Sequence, residues 1–123
     1  MQWILLALLA AIVVWRFLPK HGVVQIAPAD LQARLAKGER PLILDVREAH
    51  EFAGGHIPGA RNLPLSTLKG APADLKTDAS IILVCASGMR SQTAYQRLQG
   101  WGFTNLLNMT GGMSRWSGPR STK

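Results

Sequence analysis

"SIILVCASGMRSQTAYQRL", Ser80 to Leu98, passes from an apolar run through a small-residue turn into a segment of helical spacing, and it decides the fold class. "SIILVC" (Ser80 to Cys85) is a continuous apolar run, as expected of a strand covered on both faces of a parallel sheet. "SQTAYQRLQGWG" (Ser91 to Gly102) puts Ala94, Tyr95 and Leu98 on one side of a helix. Between the two lie Ala86, Ser87, Gly88, Met89 and Arg90, a short loop with one glycine and one cation. The strand therefore ends on Cys85, the only cysteine in the chain.

Working outward, the same alternation recurs. "VVQI" (Val23 to Ile26) is β-rich, and Pro28 opens "PADLQARLAKG", whose Leu31 and Leu35 lie on one helix face before Gly38 supplies a stop. "PLILDV" (Pro41 to Val46) predicts a second buried strand ending near Asp45, and "REAHEFAGG" a loop or short helix. "HIPGARNLPL" carries too much Pro and Gly for a long helix but leaves room for a short strand near Asn62 and Leu63. "STLKG" fits a helical turn, "TNLLNM" a last strand and "GGMSRW" the start of a short helix. Strands alternating with helices predict an α/β fold, a mostly parallel central sheet flanked by helices and joined by right-handed crossovers. One domain over 23–117 is the expectation, with a linker at 19–22 and a flexible tail at 118–123.

Residues 1–18, "MQWILLALLAAIVVWRFL", differ in composition from everything after them, with Gln2 and Arg16 their only strongly polar side chains. Eighteen helical residues cover roughly 27 Å, close to a hydrocarbon core of about 30 Å. No cation precedes the run, as a secretory signal requires, and "RFLPKHG" offers no small-residue cleavage motif. Trp3 and Trp15 stand near the two ends, with Arg16, Lys20 and His21 on the C-terminal side. The expectation is a single-pass membrane anchor with the domain on the cytoplasmic side.

Lys and Arg number 14 against 7 Asp and Glu, a net charge of +7. The excess is uneven, because after Asp78 come Arg90, Arg97, Arg115, Arg120 and Lys123 with no carboxylate. The half that holds Cys85 thus favours a small anionic substrate. No dense basic run or interleaved aromatic motif points to nucleic acid, which is not expected as a partner. A single cysteine excludes an intramolecular disulfide, a CxxC redox pair and a multi-cysteine zinc site.

Cys85 itself has two readings. A free cysteine at the end of a buried strand is often a small hydrophobe. In open α/β sheets, however, ligands bind beyond the carboxyl ends of the strands, and this cysteine stands there, before a loop and a helix. Backbone N–H groups of residues 86–90 could curl toward the sulfur as an anion-binding nest, with the positive end of the helix dipole behind them. Both effects favour the nucleophilic thiolate over the thiol. Arg90 could clamp an oxyanion or brace the loop, and both roles stay open.

"CASGMRS" resembles the active-site loop of the rhodanese, or sulfurtransferase, superfamily, with its pattern Cys-x-x-Gly-x-Arg. "LDVREAHEFAGGHIPGARNLPL" (Leu44 to Leu65) is similar to the family's Asp-x-Arg segment and its Gly-His-Ile-x-Gly-Ala turn, and "GGMSRW" to its closing Gly-Gly segment and tryptophan. The motifs occur in the family's order, between Val23 and Trp116, and leave residues 1–18 as an addition. The resemblance implies that Cys85 attacks a sulfane sulfur, becomes a persulfide and passes that sulfur to cyanide or to a small-molecule or protein thiol. It implies that Ala86, Ser87, Gly88, Met89 and Arg90 form the substrate cradle, and that no metal or organic cofactor is required. The related phosphatases and arsenate reductases have one more residue between cysteine and arginine, so the four here favour sulfur over phosphate.

Asp45 and Arg47 match the Asp-x-Arg element and are expected to form a supporting ion pair at the strand end. His56 could activate the thiol as in a Cys-His pair, but the family's histidine at this position is structural. Trp101, Phe103 and Trp116 read as packing, and Gly111 and Gly112 as a tight turn. The leading expectation is thus a membrane-anchored rhodanese-like enzyme taking sulfur from thiosulfate or a persulfide. The alternative is a membrane-tethered relay or docking module with little turnover on free thiosulfate.

Overall fold

The computed structural model describes residues 1–17 and 22–123. Five strands, β1 (Gln25–Ile26), β2 (Leu42–Asp45), β3 (Arg61–Asn62), β4 (Ile81–Val84) and β5 (Leu106–Met109), form one sheet in the order β1-β5-β4-β2-β3. Every pairing is parallel. β4 lies between β5 and β2, which is why its sequence shows no polar alternation: all four of its residues are fully buried. Each buried aliphatic side chain of this kind contributes about 1.5–3 kcal/mol relative to exposure.

Alternate residues of β4 serve two cores. Ile81, Leu83 and the following Cys85 pack with Ala94, Tyr95, Leu98 and Phe103, on the side of helix α4 (Met89–Gly100). Ile82 and Val84 face the other way, toward Leu31 of α2 (Pro28–Ala36), Met109, Met113 and Trp116. A five-residue helix, α3 (Ala49–Ala53), follows β2, and 3₁₀ turns cover Leu65–Thr67 and Gly112–Arg115. The α/β fold with a parallel central sheet thus stands. The segment 118–123, read as a flexible tail, is tied down at Ser121, which exchanges backbone hydrogen bonds of 2.8 and 2.9 Å with His56.

The N-terminal expectation is corrected. Helix α1 (Gln2–Phe17) has 16 residues, about 24 Å at 1.5 Å per residue, against a hydrocarbon core of about 30 Å. Among the described residues no helix is long and apolar enough to cross a membrane, so neither the single-pass anchor nor the cytoplasmic placement derived from it holds. Trp3 and Trp15 are 83% and 74% exposed, and every side chain from residue 2 to residue 15 of the helix is open to its surroundings. Residue 18 of the expected span, residues 19–21 of the expected linker, and with them Lys20 and His21, lie outside the described residues.

Candidate active site

β4 ends at Val84, and the chain turns at once into α4 through residues 85–88. The tightness of that turn rests on Gly88, which caps α4 with φ +92°, a left-handed conformation that only glycine adopts readily. The turn brings the Gly88 N–H to 3.0 Å from Cys85 Sγ. The Ser91 hydroxyl, from the first turn of α4, stands 3.3 Å from the same sulfur. The N–H groups that open α4 have no acceptor within the helix, so the positive end of its dipole lies at this loop. The thiol itself is fully buried.

A second turn fixes the loop from the opposite side. Gly111 and Gly112, with φ of +75° and +61°, start the 3₁₀ turn whose Met113 N–H donates to the Cys85 carbonyl at 2.7 Å and whose Ser114 N–H donates to the Ala86 carbonyl at 2.9 Å. Both loop carbonyls are thereby engaged away from the sulfur. The approach is close: a Cβ on Gly112 would lie 2.2 Å from the Cys85 carbonyl oxygen, and one on Gly88 would lie 3.0 Å from the Gly111 nitrogen. These glycines belong to the loop's scaffold as well as to a turn.

Of the cradle residues, Gly88 is buried, Ala86 and Arg90 are half-buried, and Ser87 and Met89 are exposed, Met89 at 75%. Arg90 points to Glu51 of α3, donating from Nη1 to Oε1 at 2.7 Å and from Nη2 to Oε2 at 2.9 Å. Glu51 Oε1 also accepts the Glu48 N–H at 3.0 Å. The hydrogen bond from Arg90 is the main cause that holds the Glu51 carboxyl at about 2, below its ordinary 4.5, and the same contact raises Arg90. Arg90 is accordingly a brace between the first turns of α3 and α4.

Beneath the loop, Asp45 and Arg47 form the expected ion pair at 2.7 Å, with both side chains more than nine-tenths buried. Asp45 also accepts the Arg47 N–H, and Arg47 Nη2 donates to the Gly55 carbonyl at 2.8 Å. Asn62 Nδ2 donates to the carbonyls of both residues, so the end of β2 is tied to β3. Both ring nitrogens of His56 are engaged elsewhere than at the thiol: the ring stacks on Phe52 with centroids 3.6 Å apart, and its nitrogens face the carbonyls of Phe52 and Lys123 at 2.8 Å. Among the described residues no group of three or more His, Cys, Asp or Glu side chains could hold a metal ion.

Three partners of the site were missed in the sequence. Ser91 closes the quoted loop "CASGMRS" but carries no assigned role in the sequence, although its place directly after Arg90, in the first turn of the helix, is a usable signal. Gly111 and Gly112 form the expected tight turn, but neither their contact with the thiol loop nor that of Glu51 has a signal in the sequence, because each reaches the loop from a distant part of the chain.

Residues 27–119 match the family described as Rhodanese-like domain. The chain is 44% identical over 81 residues to the uncharacterized protein YqhL of Bacillus subtilis, a match covering 66% of this chain and 64% of YqhL. It therefore spans just under two thirds of that relative. It is 35% identical over 89 residues to the thiosulfate sulfurtransferase GlpE of Pseudomonas putida, covering 72% of this chain and 81% of GlpE. Among solved structures, the human single-domain sulfurtransferase TSTD1 superposes with a TM-score of 0.66 at 30% identity, covering 77% of this chain and 96% of that one.

Proposed function

The chain belongs to the rhodanese-like domain family, and we propose that it is a sulfurtransferase in which Cys85 carries the sulfur as a persulfide. The observation that carries this reading is the sulfur's position at the carboxyl end of β4, receiving the Gly88 N–H at 3.0 Å and facing Ser91 Oγ at 3.3 Å. Fixed donors aimed at one atom stabilise negative charge there without reorganisation. The relatives named for thiosulfate sulfurtransferase and sulfurtransferase activity support the same chemistry.

With thiosulfate as donor, the Cys85 thiolate attacks the sulfane sulfur. An Sγ–S bond forms, the S–S bond of thiosulfate breaks, and its electron pair leaves with sulfite. An acceptor, cyanide or a thiolate, then attacks the outer sulfur of the persulfide. The electron pair of that S–S bond returns to Sγ, and thiocyanate or the acceptor's persulfide departs. No second cysteine exists in the chain to resolve the persulfide internally, so the acceptor is external. Ala86, Ser87, Gly88 and Met89 supply the cradle in this reading, Arg90 holds it in shape, and Asp45 and Arg47 support it from below.

Intact-mass measurement of the full chain after thiosulfate tests the proposal. One added sulfur, removed by cyanide and absent from Cys85→Ser, is the expected result. Transfer that survives in Cys85→Ser would sink the mechanism.

A further inference from the structure

Arg90 and Arg97 of α4 and Trp101, which caps its C-terminus, lie on one line, since seven and eleven positions at 3.6 residues per turn return to within about 20° of the start. The segment 65–69 packs beside this line, and Arg97 Nη1 donates to the carbonyls of Leu65 and Leu68 at 3.2 and 2.9 Å. An open cleft of about 680 Å³ runs between them, with Glu48 and Arg90 at the Cys85-loop end and Lys69, Arg97 and Trp101 farther along.

Its size and charge describe what it fits. Pockets of roughly 300–1,000 Å³ hold ligands much larger than a small inorganic anion, and small ligands are mostly engulfed, whereas this cleft is open along one side. Trp and Arg are the side chains enriched where proteins dock. The charges are segregated. At the loop end Arg90 is paired with Glu51, and Glu48 adds a further carboxylate. At the other end Lys69 and Arg97 are paired with no carboxylate among the described residues. Seven helical residues separate Arg90 from Arg97 by about 10 Å, the length of roughly three residues of extended chain.

Resting on the sulfur-transfer reading above, we propose that this cleft docks an extended acidic segment of a protein thiol acceptor. Its cysteine meets the Cys85 loop and its carboxylates, roughly three residues away, meet Lys69 and Arg97. The acceptor thiolate takes the outer sulfur, and the electron pair of the cleaved S–S bond returns to Cys85 Sγ. A carboxylate close to the accepting thiol gains nothing, because the loop end of the cleft is itself acidic.

The test uses the full chain, loaded with thiosulfate and freed of excess. Discharge of the persulfide is timed with the peptide acetyl-Cys-Gly-Gly-Asp-Glu-amide, its Asn-Gln counterpart, 3-mercaptopropionate and 2-mercaptoethanol. Relative to 2-mercaptoethanol, the acidic peptide should react about tenfold faster than the Asn-Gln peptide, and Lys69→Glu should erase that advantage. Lys69 is exposed and makes no side-chain hydrogen bond or ion pair among the described residues, so the variant keeps the fold. Equal rates for the two peptides, an advantage that survives Lys69→Glu, or an equal gain with 3-mercaptopropionate would overturn the docking of an acidic segment. Binding of the sulfur-free acetyl-Ser-Gly-Gly-Asp-Glu-amide, followed by amide shifts at Lys69, Arg97 and Trp101, decides the cleft even if no sulfur loads. Unloaded sulfur condemns the sulfurtransferase reading alone, and absent shifts condemn the cleft alone.

Discussion

Arg90 and Glu51, thirty-nine positions apart, meet through two parallel hydrogen bonds of 2.7 and 2.9 Å and so join the first turn of α4 to α3. A bidentate guanidinium–carboxylate contact fixes direction as well as distance. The arginine of the thiol loop thus meets a protein carboxylate, a contact that braces the loop against α3.

That pair gives a pH dependence with a definite sign. Glu51 is held at about 2 against an ordinary 4.5, chiefly by the hydrogen bond from Arg90. A depressed carboxyl stabilises the folded chain fully above its unfolded value, and the contribution is lost as pH falls through the folded one. Thermal stability should accordingly fall from 4.5 down to about 2, and Glu51→Gln should flatten that part of the profile. The effect will be modest, because the two side chains keep 27% and 37% of their exposure and solvent screens them. An unchanged acid slope in Glu51→Gln would show that the pair contributes nothing to folding.

Two glycines of positive φ separate backbone strain from steric contact. Gly112 has φ +61° and backbone atoms of Cys85 and Ala86 within 3 Å of where a Cβ would stand, whereas Gly59 has φ +84° and nothing within 4 Å. Gly59→Ala should cost about 1–2 kcal/mol, the left-handed backbone term alone. Gly112→Ala should cost distinctly more and also impair sulfur loading, because it displaces the carbonyls that hold the thiol loop. Urea midpoints of the two variants and their persulfide yields test this, and equal destabilisation would refute the clamp.

The fold was legible because "IILV" (Ile81 to Val84) and "LIL" (Leu42 to Leu44) run without polar alternation, as strands covered on both faces do. β4 and β2 are such strands, at the centre of the sheet. The residues around the thiol were less legible. Cys85, Gly88 and Arg90 could be found because chain neighbours set their geometry, whereas Glu51 and Gly112 reach the loop only after the sheet has formed. α1 was misread for a physical reason: its composition suits a membrane span, but composition sets no length, and the helix is 16 residues long.

The Asp45–Arg47 pair is the structural counterpart of the loop. Its side chains are 1% and 8% exposed, against 61% and 42% for the surface pair Asp74–Arg61. Removing one partner of a buried pair leaves an uncompensated charge and typically costs about 3–5 kcal/mol. Asp45→Ala should therefore lower the urea midpoint severely, while Arg61→Ala should barely move it. Comparable shifts in the two variants would mean that burial does not govern these pairs.

Ser91 offers a sharper test of the thiol's surroundings than any change to the thiol. Its hydroxyl lies 3.3 Å from Cys85 Sγ and its side chain is fully buried, so it can donate to the sulfur when the sulfur is charged. Hydrogen bonds to charged groups contribute about 1.5–3 kcal/mol, and sulfur, a weak acceptor, belongs at the low end. Ser91→Ala removes only the hydroxyl from the first turn of α4, where alanine is a good helix former. The variant should fold normally and form the persulfide about tenfold more slowly, the rate equivalent of about 1.4 kcal/mol. Ser91→Thr, which restores the hydroxyl, should recover most of that rate if the added methyl fits the buried site. A pre-steady-state measurement of sulfur loading distinguishes the cases: full speed in Ser91→Ala would leave the Gly88 N–H and the helix terminus as the only stabilisers of the charged sulfur.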